Sequence, residues 1–511
     1  MNSTNNIITT LHTRHQIEQE IAQLLQIQSE SEFTAQAERI AARGEQVVSV
    51  LLNNLKHATP QMINVLGIIA AFYPDREYVL GRLYDLVADE SQPDRYRLAA
   101  MLILERHLDE EIDPHLFSSL SDPQLLVKES VQEMLTEAQK DPLILLDYLN
   151  GLSDQPEEVL ENVVETLLFI GREKAVPILC LLAQDKSEIL SQAALHALGC
   201  IDHPAAVRGL QTLQALLPPA KLPLCERSLR KLAFKGVPIA PLPPVEGGWR
   251  TLVNAPDGEG NRVVWFFHPN EATGEQFFWG VSVHPDEGII NAYGNAHVEP
   301  ELLPPLQPRG YVHSLSPEEG LVLYMLEADF EYGRQIVRQG AERTWARGEL
   351  LPTEYRLLGT LIWSFAPADE GVSLPERPDL VTARALVGQS ADLLAHPAFH
   401  SWFAYGQQVI DLAMKFLRRS MLRPQESLAR WTRQLVRVYY DAQAIARLQA
   451  QLEASAEWLF RAGQKHLAQI AWATAVTLTE IPPDRHPFTL RMAERGLEFV
   501  FDQVYGNLKA R

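Results

Sequence analysis

The sequence predicts a mostly α-helical protein in three parts: a long helical repeat region, a small antiparallel β segment and a C-terminal helical domain. Two observations predict this organisation. Residues able to cap a helix recur every 31 or 32 positions, at Thr59, Ser91, Asp122, Asp154 and Asp185. The apolar pattern then changes from helical to alternating near residue 249 and returns to helical near residue 316. Self-similarity at this period indicates stacked helical hairpins that share one elongated core.

The residues after each predicted cap support an amphipathic helix. Apolar residues stand five, nine and thirteen positions beyond each cap, with Asn64 as the exception. Capping-box spacing occurs at Asp154 with Glu157 and at Asp185 with Glu188. Each cap is therefore expected to open the second helix of a hairpin.

Residues 171–213 carry an internal repetition. Ala175 and Val176 recur as Ala206 and Val207, and the apolar positions that follow recur as well, Leu179 and Leu182 as Leu210 and Leu213. This stretch resembles HEAT-like repeats, especially the short type first associated with phycobilin lyases. The resemblance implies a HEAT-like α-solenoid over residues 1–236, and it specifies fold rather than activity.

A boundary is predicted at residues 237–247, where prolines and glycines prevent a continuous helix. Residues 248–315 then predict a four-stranded antiparallel meander, with strands at 249–254, 262–268, 276–284 and 289–292. One apolar face of this sheet is expected to be covered by the helices that follow; its members are predicted to be Val263, Trp265, Phe267, Phe277, Trp279 and Val281.

Residues 316–511 predict an all-helical domain packed on the β segment. The sequence Ser-Pro-Glu-Glu at 316–319 predicts a capping box opening a helix over 317–346. Further helices are predicted at 353–364, 379–394, 398–421, 425–441, 443–462, 465–480 and 487–507. Within them, residues 449–480 resemble one tetratricopeptide hairpin, in which small residues let two helices approach closely.

Composition narrows the class of protein. The 511 residues are 46% hydrophobic and 22% charged, typical of a folded chain, and three cysteines without metal spacing predict reduced thiols. The N-terminus has no signal-peptide pattern and no run is long enough to span a bilayer, so a cytoplasmic protein is expected. The net charge of −20 disfavours nucleic acid and anionic membranes as partners and favours a basic protein surface.

Motifs for catalysis and metal binding are weak. The sequence has no GxxxxGK, GxGxxG or HExxH motif and no paired CxxC. His396 and His400 have zinc-ligand spacing but flank Pro397, which favours an ordinary helix start. The Ser228–Lys231 pair matches SxxK without its companion motifs. The acids of the 257–261 loop alternate like calcium ligands but suit a hairpin turn equally well. No metal and no cofactor is predicted.

An acidic surface is the candidate binding site. Glutamates on the second helices are expected to face away from the apolar stripe and to form one wall across neighbouring repeats, or else an ordinary solvated surface. The predicted binding residues are Glu129, Glu133, Glu157, Glu161, Glu165 and Glu188.

A basic stretch between Lys415 and Arg437 offers a second charged surface. Arg430, Arg433 and Arg437 share one helix face, opposite Leu428, Trp431, Leu435 and Val438. The net negative charge of the chain favours pairing of these arginines with its own acids over phosphate binding.

These patterns together predict a noncatalytic scaffold or adaptor that binds another protein through the concave face of the solenoid. The alternative is an enzyme or a lyase-like, chromophore-handling protein with a site between the solenoid and the β segment. A bound pigment or a buried cluster of histidine and acids would favour the alternative.

Overall fold

The computed structural model confirms a mostly α-helical chain with one antiparallel sheet. It describes residues 14–509 except 15, 26–29, 57, 111, 114–115, 117–127, 129–130, 133, 140–141, 153–156, 246, 270–273, 319–320, 369–372 and 423–427. The chain divides into two compact units, Met1–Lys140 with Phe169–Gly171, and Asp141–Leu168 with Arg172–Arg511. Within the described part, no helix combines the length and apolarity needed to cross a membrane.

The first unit includes the helices α1 (Glu30–Ala41), α2 (Glu45–Leu55), α3 (Pro60–Ala71), α4 (Arg76–Ala88) and α5 (Asp94–His107). Its core is formed by one stripe from each helix, including Leu51, Leu66, Leu83 and Leu104, all at most 1% exposed. Thr59 caps α3 as predicted, since its side chain accepts a hydrogen bond from the Met62 amide and Pro60 occupies the first helical position.

Two other predicted caps are wrong. The helix expected after Ser91 begins at Asp94, and the Ser91 hydroxyl instead donates to Asp89 within the preceding turn. The helix expected after Asp185 begins at Glu188, because Ser187 accepts the Leu190 amide and Asp185 accepts the Ser187 amide just before it. The predicted caps at residues 122 and 154 lie outside the described residues.

The second unit begins with α6 (Ile144–Leu152), α7 (Glu157–Thr166), α8 (Val176–Leu182), α9 (Glu188–Leu198), α10 (Pro204–Leu216) and α11 (Leu222–Phe234). The repeated residues of α8 and α10 are buried as predicted, with Leu179, Leu210 and Leu213 fully enclosed. These helices pack directly on a C-terminal helix, α13 (Thr353–Trp363): Gln184 Nε2 donates to the Arg356 carbonyl at 3.0 Å. The division of the chain therefore does not fall at residues 237–247.

Among the described residues, the sheet has six strands instead of the predicted four: β1 (Arg250–Asn254), β2 (Arg262–Pro269), β3 (Gln276–His284), β4 (Gly288–Val298), β5 (Val312–Glu318) and β6 (Leu321–Ala328), in the order β4-β3-β2-β1-β6-β5. The first four strands confirm the prediction. Residues 316–318 belong to β5, so the predicted capping box and the boundary at 315/316 are wrong. The capping-box prediction relied on Pro317, but proline also fits an edge strand, and β5 is an edge strand.

Register assigns the aromatic residues to the two faces differently from the prediction. Phe267 pairs with Phe278 and Trp265 with Gly280, so Val263, Trp265 and Phe267 share their face with Phe278. Trp279 lies on the opposite face, stacked on Phe266 at 5.4 Å and fully buried. The predicted face was displaced by one residue in β3, and a one-residue shift exchanges the faces of a strand.

The helix α12 (Phe330–Ala346) covers the face of Phe266 and Trp279, as the prediction of helical cover required. Gly333 permits this close approach, because a Cβ there would lie 2.6 Å from Thr251 Cγ2. The remaining helices are α14 (Leu380–Leu386), α15 (Gln407–Leu422), α16 (Leu428–Tyr439), α17 (Ala442–Arg461), α18 (Lys465–Thr477) and α19 (Pro487–Lys509). The hairpin of α17 and α18 turns at Gly463, with φ of 75°.

Candidate functional site

A cleft opens on the sheet face that α12 does not cover. Its volume is about 770 Å³, within the range of roughly 300–1,000 Å³ typical of small-molecule sites. The floor comes from β2, β3 and β4, and the walls come from the segment after β4, from β6 and from the loop before α15. The lining includes Val263, Trp265, Phe267, Phe278, Tyr293, Leu302, Tyr324, His400 and Ser401.

The floor is a continuous aromatic surface. Phe267 and Phe278 stack with their ring centroids 5.3 Å apart, and Trp265 meets Phe278 edge-on at 5.7 Å. Tyr324 meets His400 edge-on at 5.9 Å on the wall. Phe267 also packs in a buried cluster with Leu252 and Met325 on the same face of the sheet, so the floor is held from the side. A planar apolar molecule could therefore lie against preformed rings.

One row of the sheet supplies the polar group on this floor. Trp265, Gly280 and Tyr293 stand side by side on β2, β3 and β4. A Cβ at Gly280 would lie 2.5 Å from the Tyr293 ring, so glycine is what allows the tyrosine to lie across β3. Trp265 Nε1 donates to Tyr293 Oη at 2.9 Å. Burial raises the pKa of Tyr293, against the opposing effect of this hydrogen bond, so its hydroxyl keeps a proton to donate.

The turn at 257–261 borders the cleft and is held by hydrogen bonds between its own residues. Asp257 Oδ1 accepts the amides of Glu259 and Asn261 at 2.9 and 2.8 Å, and its Oδ2 accepts Asn261 Nδ2 at 3.0 Å. These bonds confirm the turn role of Asp257. Within the described part, no group of three histidines, cysteines or acids is placed to hold a metal. Asn261 Oδ1 is buried and has no hydrogen-bond partner among the described residues.

A buried ion network holds one wall. Glu327, 4% exposed, accepts Arg250 Nε at 2.9 Å and lies 2.9 Å from His313 Nε2. Arg250 also donates to the carbonyls of Pro304 and Pro305, at 2.5 and 3.1 Å, and stacks over the Phe267 ring. The network thus fixes the segment after β4 to the sheet. Arg250, His313 and Glu327 do not line the cleft themselves.

Only two of the acidic side chains predicted to bind a partner are described. Glu129 and Glu133 fall outside the described residues, as do the side chains of Glu157 and Glu161. Glu165 and Glu188 are exposed, and Glu188 accepts Gln192 Nε2 at 3.1 Å. Neither lines the cleft. Their role in binding stays a prediction.

The other sequence motifs have local structural partners. His396 Nδ1 accepts the Ala398 amide, which makes it a helix cap, and His400 Nδ1 lies 3.0 Å from the Pro397 carbonyl. The Ser228 hydroxyl donates to the Leu195 carbonyl at 2.7 Å, so this serine joins α11 to α9.

At least one arginine on the basic face of α16 forms an ion pair with an acid of the same chain. Arg437 Nε donates to Asp484 Oδ2 at 2.7 Å, and this bond holds the pKa of Asp484 below its ordinary value. Trp431 and Leu435 are buried as predicted, whereas Val438 is 60% exposed, so the apolar face is narrower than expected.

Sequence reasoning missed the cleft and the Arg250 network. The alternating aromatic residues of β2 and β3 were the available signal, but the face they share depends on cross-strand register and on β6.

No family model matches this chain, and no curated protein or solved structure is significantly similar to it.

Proposed function

We propose that this protein is a noncatalytic binding protein whose cleft holds an uncharged, largely apolar small molecule. The aromatic floor of Trp265, Phe267 and Phe278, set in a concavity of ligand size, is the observation that carries the proposal. Two polar groups would orient the molecule. The Tyr293 hydroxyl offers a donor, because its oxygen already accepts from Trp265, and Asn261 Oδ1 offers an acceptor.

The charge of the lining supports an uncharged ligand. No lysine or arginine is among the described residues that line the cleft, whereas Asp257 is. A phosphate or carboxylate placed there would lose water without gaining an opposite charge, which is costly. The lining runs from Asn254 to Ser401 and includes no residue of the repeat region, so we propose no site between the repeat region and the β segment.

The test is titration of the full chain with Nile red, an uncharged planar dye whose fluorescence increases in apolar surroundings. Leu302→Asp and Leu306→Asp form a matched pair: the two leucines are 75% and 76% exposed in the same segment, but only Leu302 lines the cleft. We expect Leu302→Asp to weaken dye binding about tenfold, equivalent to about 1.4 kcal/mol. Leu306→Asp should bind as the wild type does. If the two variants bound the dye with the same affinity, whether unchanged or reduced, the site would be refuted.

We also propose the role predicted from the repeats, a cytoplasmic scaffold with a HEAT-like solenoid whose acidic face binds a basic protein. The exposure of Glu165 and Glu188 and the net charge of −20 support this second candidate. It does not depend on the cleft.

Its test compares two double variants of equal net charge. Glu165→Lys with Glu188→Lys changes predicted binding positions, and Glu173→Lys with Glu226→Lys changes exposed acids of the same unit that were not predicted to bind. Association with immobilised poly-L-lysine at low salt should slow several-fold more in the first double variant. Equal slowing in both would indicate an ordinary solvated surface.

A further inference from the structure

Cys200 differs from the two other cysteines of the chain. Cys180 and Cys225 are buried, and burial raises the pKa of both thiols, that of Cys225 to about 12. Cys225 Sγ also donates to the Leu210 carbonyl. Cys200 is only half-buried, two residues beyond the end of α9. It is therefore the thiol that a small solute can reach.

Two basic side chains meet at the Cys200 sulfur. Lys231 Nζ lies 3.0 Å from Sγ, and His196 Nδ1 lies 3.9 Å from it. The same Lys231 nitrogen is 3.3 Å from His196 Nε2, so the three groups form a triangle. Reactive cysteines occupy such partly exposed, electropositive surroundings.

Close packing of α11 against the end of α9 brings Lys231 beside His196 and Cys200. His196 lies in the last turn of α9 and Cys200 follows four residues later, just beyond the helix, with its sulfur against the His196 ring. A Cβ at Gly199 would lie 3.0 Å from Ser228 Cβ, and Ser228 donates to the α9 backbone, so α11 is held against the end of α9. Lys231 is three residues beyond Ser228 and therefore reaches the sulfur.

We infer that Cys200 is a peroxide-reactive thiol whose sulfenic acid condenses with Lys231 to form a reversible sulfur–nitrogen cross-link between α9 and α11. A sulfenic acid condenses with a backbone nitrogen to a sulfenamide, and the Lys231 amine offers another nitrogen beside this sulfur. At 3.0 Å the lysine nitrogen needs to move only by the difference between a hydrogen bond and a covalent bond.

The chemistry has two balanced steps. The sulfur attacks one oxygen of hydrogen peroxide; the S–O bond forms, the O–O bond breaks, and one water leaves, so sulfur is oxidised and peroxide is reduced. Lys231 then releases its ammonium proton to solvent, and His196 Nε2 lies within reach to relay it. The amine attacks sulfur, the N–S bond forms and the S–O bond breaks, and the hydroxyl leaves as water with the second amine proton. The protein loses two hydrogens overall. Two equivalents of an added thiol restore Cys200 and Lys231 and become a disulfide.

The experiment exposes the full-length protein to hydrogen peroxide and measures intact mass and tryptic peptides. We expect a decrease of two hydrogens, a linked peptide pair containing Cys200 and Lys231, and loss of the link after dithiothreitol. Dimedone, which traps sulfenic acids, should label Cys200 more strongly in Lys231→Met than in the wild type, because the condensation is blocked.

Two variants make the result specific. Lys235 lies on the same helical segment, but its nitrogen contacts Asp202 at 2.7 Å and the Cys200 carbonyl instead of the sulfur. Lys235→Met should form the cross-link as the wild type does, and Cys200→Ser should not form it. Absence of the linked peptides from the oxidised wild type would overturn the inference. A two-hydrogen loss located on the Cys200 peptide that persists in Lys231→Met would also overturn it, since Lys231 would then not be the partner.

Discussion

Lowering the pH from 7 to 5 should destabilise the C-terminal helices through one buried histidine. His486 is fully buried, its Nδ1 accepts the Phe488 amide at 3.2 Å, and its Nε2 lies 3.0 Å from the Thr477 hydroxyl. That hydroxyl donates to the Ala473 carbonyl, so Nε2 carries the hydrogen and Nδ1 is an acceptor. A proton added at Nδ1 would face the Phe488 N–H. Burial lowers the pKa of His486 from 6.5 to about 4.

The direction and size of this loss of stability follow from proton linkage. Between pH 6.5 and 4 the unfolded chain binds a proton at this histidine that the folded chain does not, so stability falls as the pH falls through that window. Above pH 6.5 the histidine is neutral in both states and has no effect. Over the whole window the loss is about 3 kcal/mol, and from pH 7 to 5 it is about 2 kcal/mol.

Amide hydrogen exchange over α18 and the start of α19 measures this loss locally in the full chain. His486→Asn removes the titration but keeps an acceptor for the Phe488 amide. Between pH 7 and 5, protection corrected for intrinsic exchange should fall about 30-fold more in the wild type than in His486→Asn. Comparison with the variant cancels other acid-sensitive groups, such as His107 and His396, whose pKa values burial also lowers. His466→Asn, at an exposed position of the same hairpin, is the control. An equal decrease in wild type and His486→Asn would refute the reasoning.

Three further perturbations test the fold around the cleft. Gly333→Ala should cost about 1–3 kcal/mol in thermal or urea unfolding by crowding the sheet, whereas Gly388→Ala, with open space around its Cβ, should cost less than 1 kcal/mol. Glu327→Gln should cost about 3 kcal/mol by leaving the Arg250 guanidinium without its buried carboxylate, and it should weaken Nile red binding by loosening the wall. The fragment 248–300 should remain unfolded by circular dichroism and NMR dispersion, because it lacks β6, the strand that pairs with β1 in the middle of the sheet; a cooperatively melting fragment would contradict this.

Local chemistry made much of the fold predictable. Proline and threonine at residues 59–60 specify a helix start by themselves, and the strands of 250–284 stand between turn-forming sequences. The β5–β6 hairpin was not predictable in this way, because Ser-Pro-Glu-Glu satisfies both a helix start and an edge strand. Pairing with β1, about 70 residues earlier in the chain, decides between them. A long-range contact of this kind leaves no local pattern in a single sequence.

The cleft depends on one glycine on each face of the sheet and on one arginine that fixes the wall. On the covered face, Gly333 removes a side chain so that α12 can meet the strands directly. On the open face, Gly280 has no side chain, so the Tyr293 ring can lie across β3 and its hydroxyl can donate a hydrogen bond from an otherwise apolar surface. Arg250 binds the carbonyls of the wall segment and so fixes it along one edge of this face. An aromatic surface that lines a concavity instead of packing against α12 is what a small apolar ligand would require.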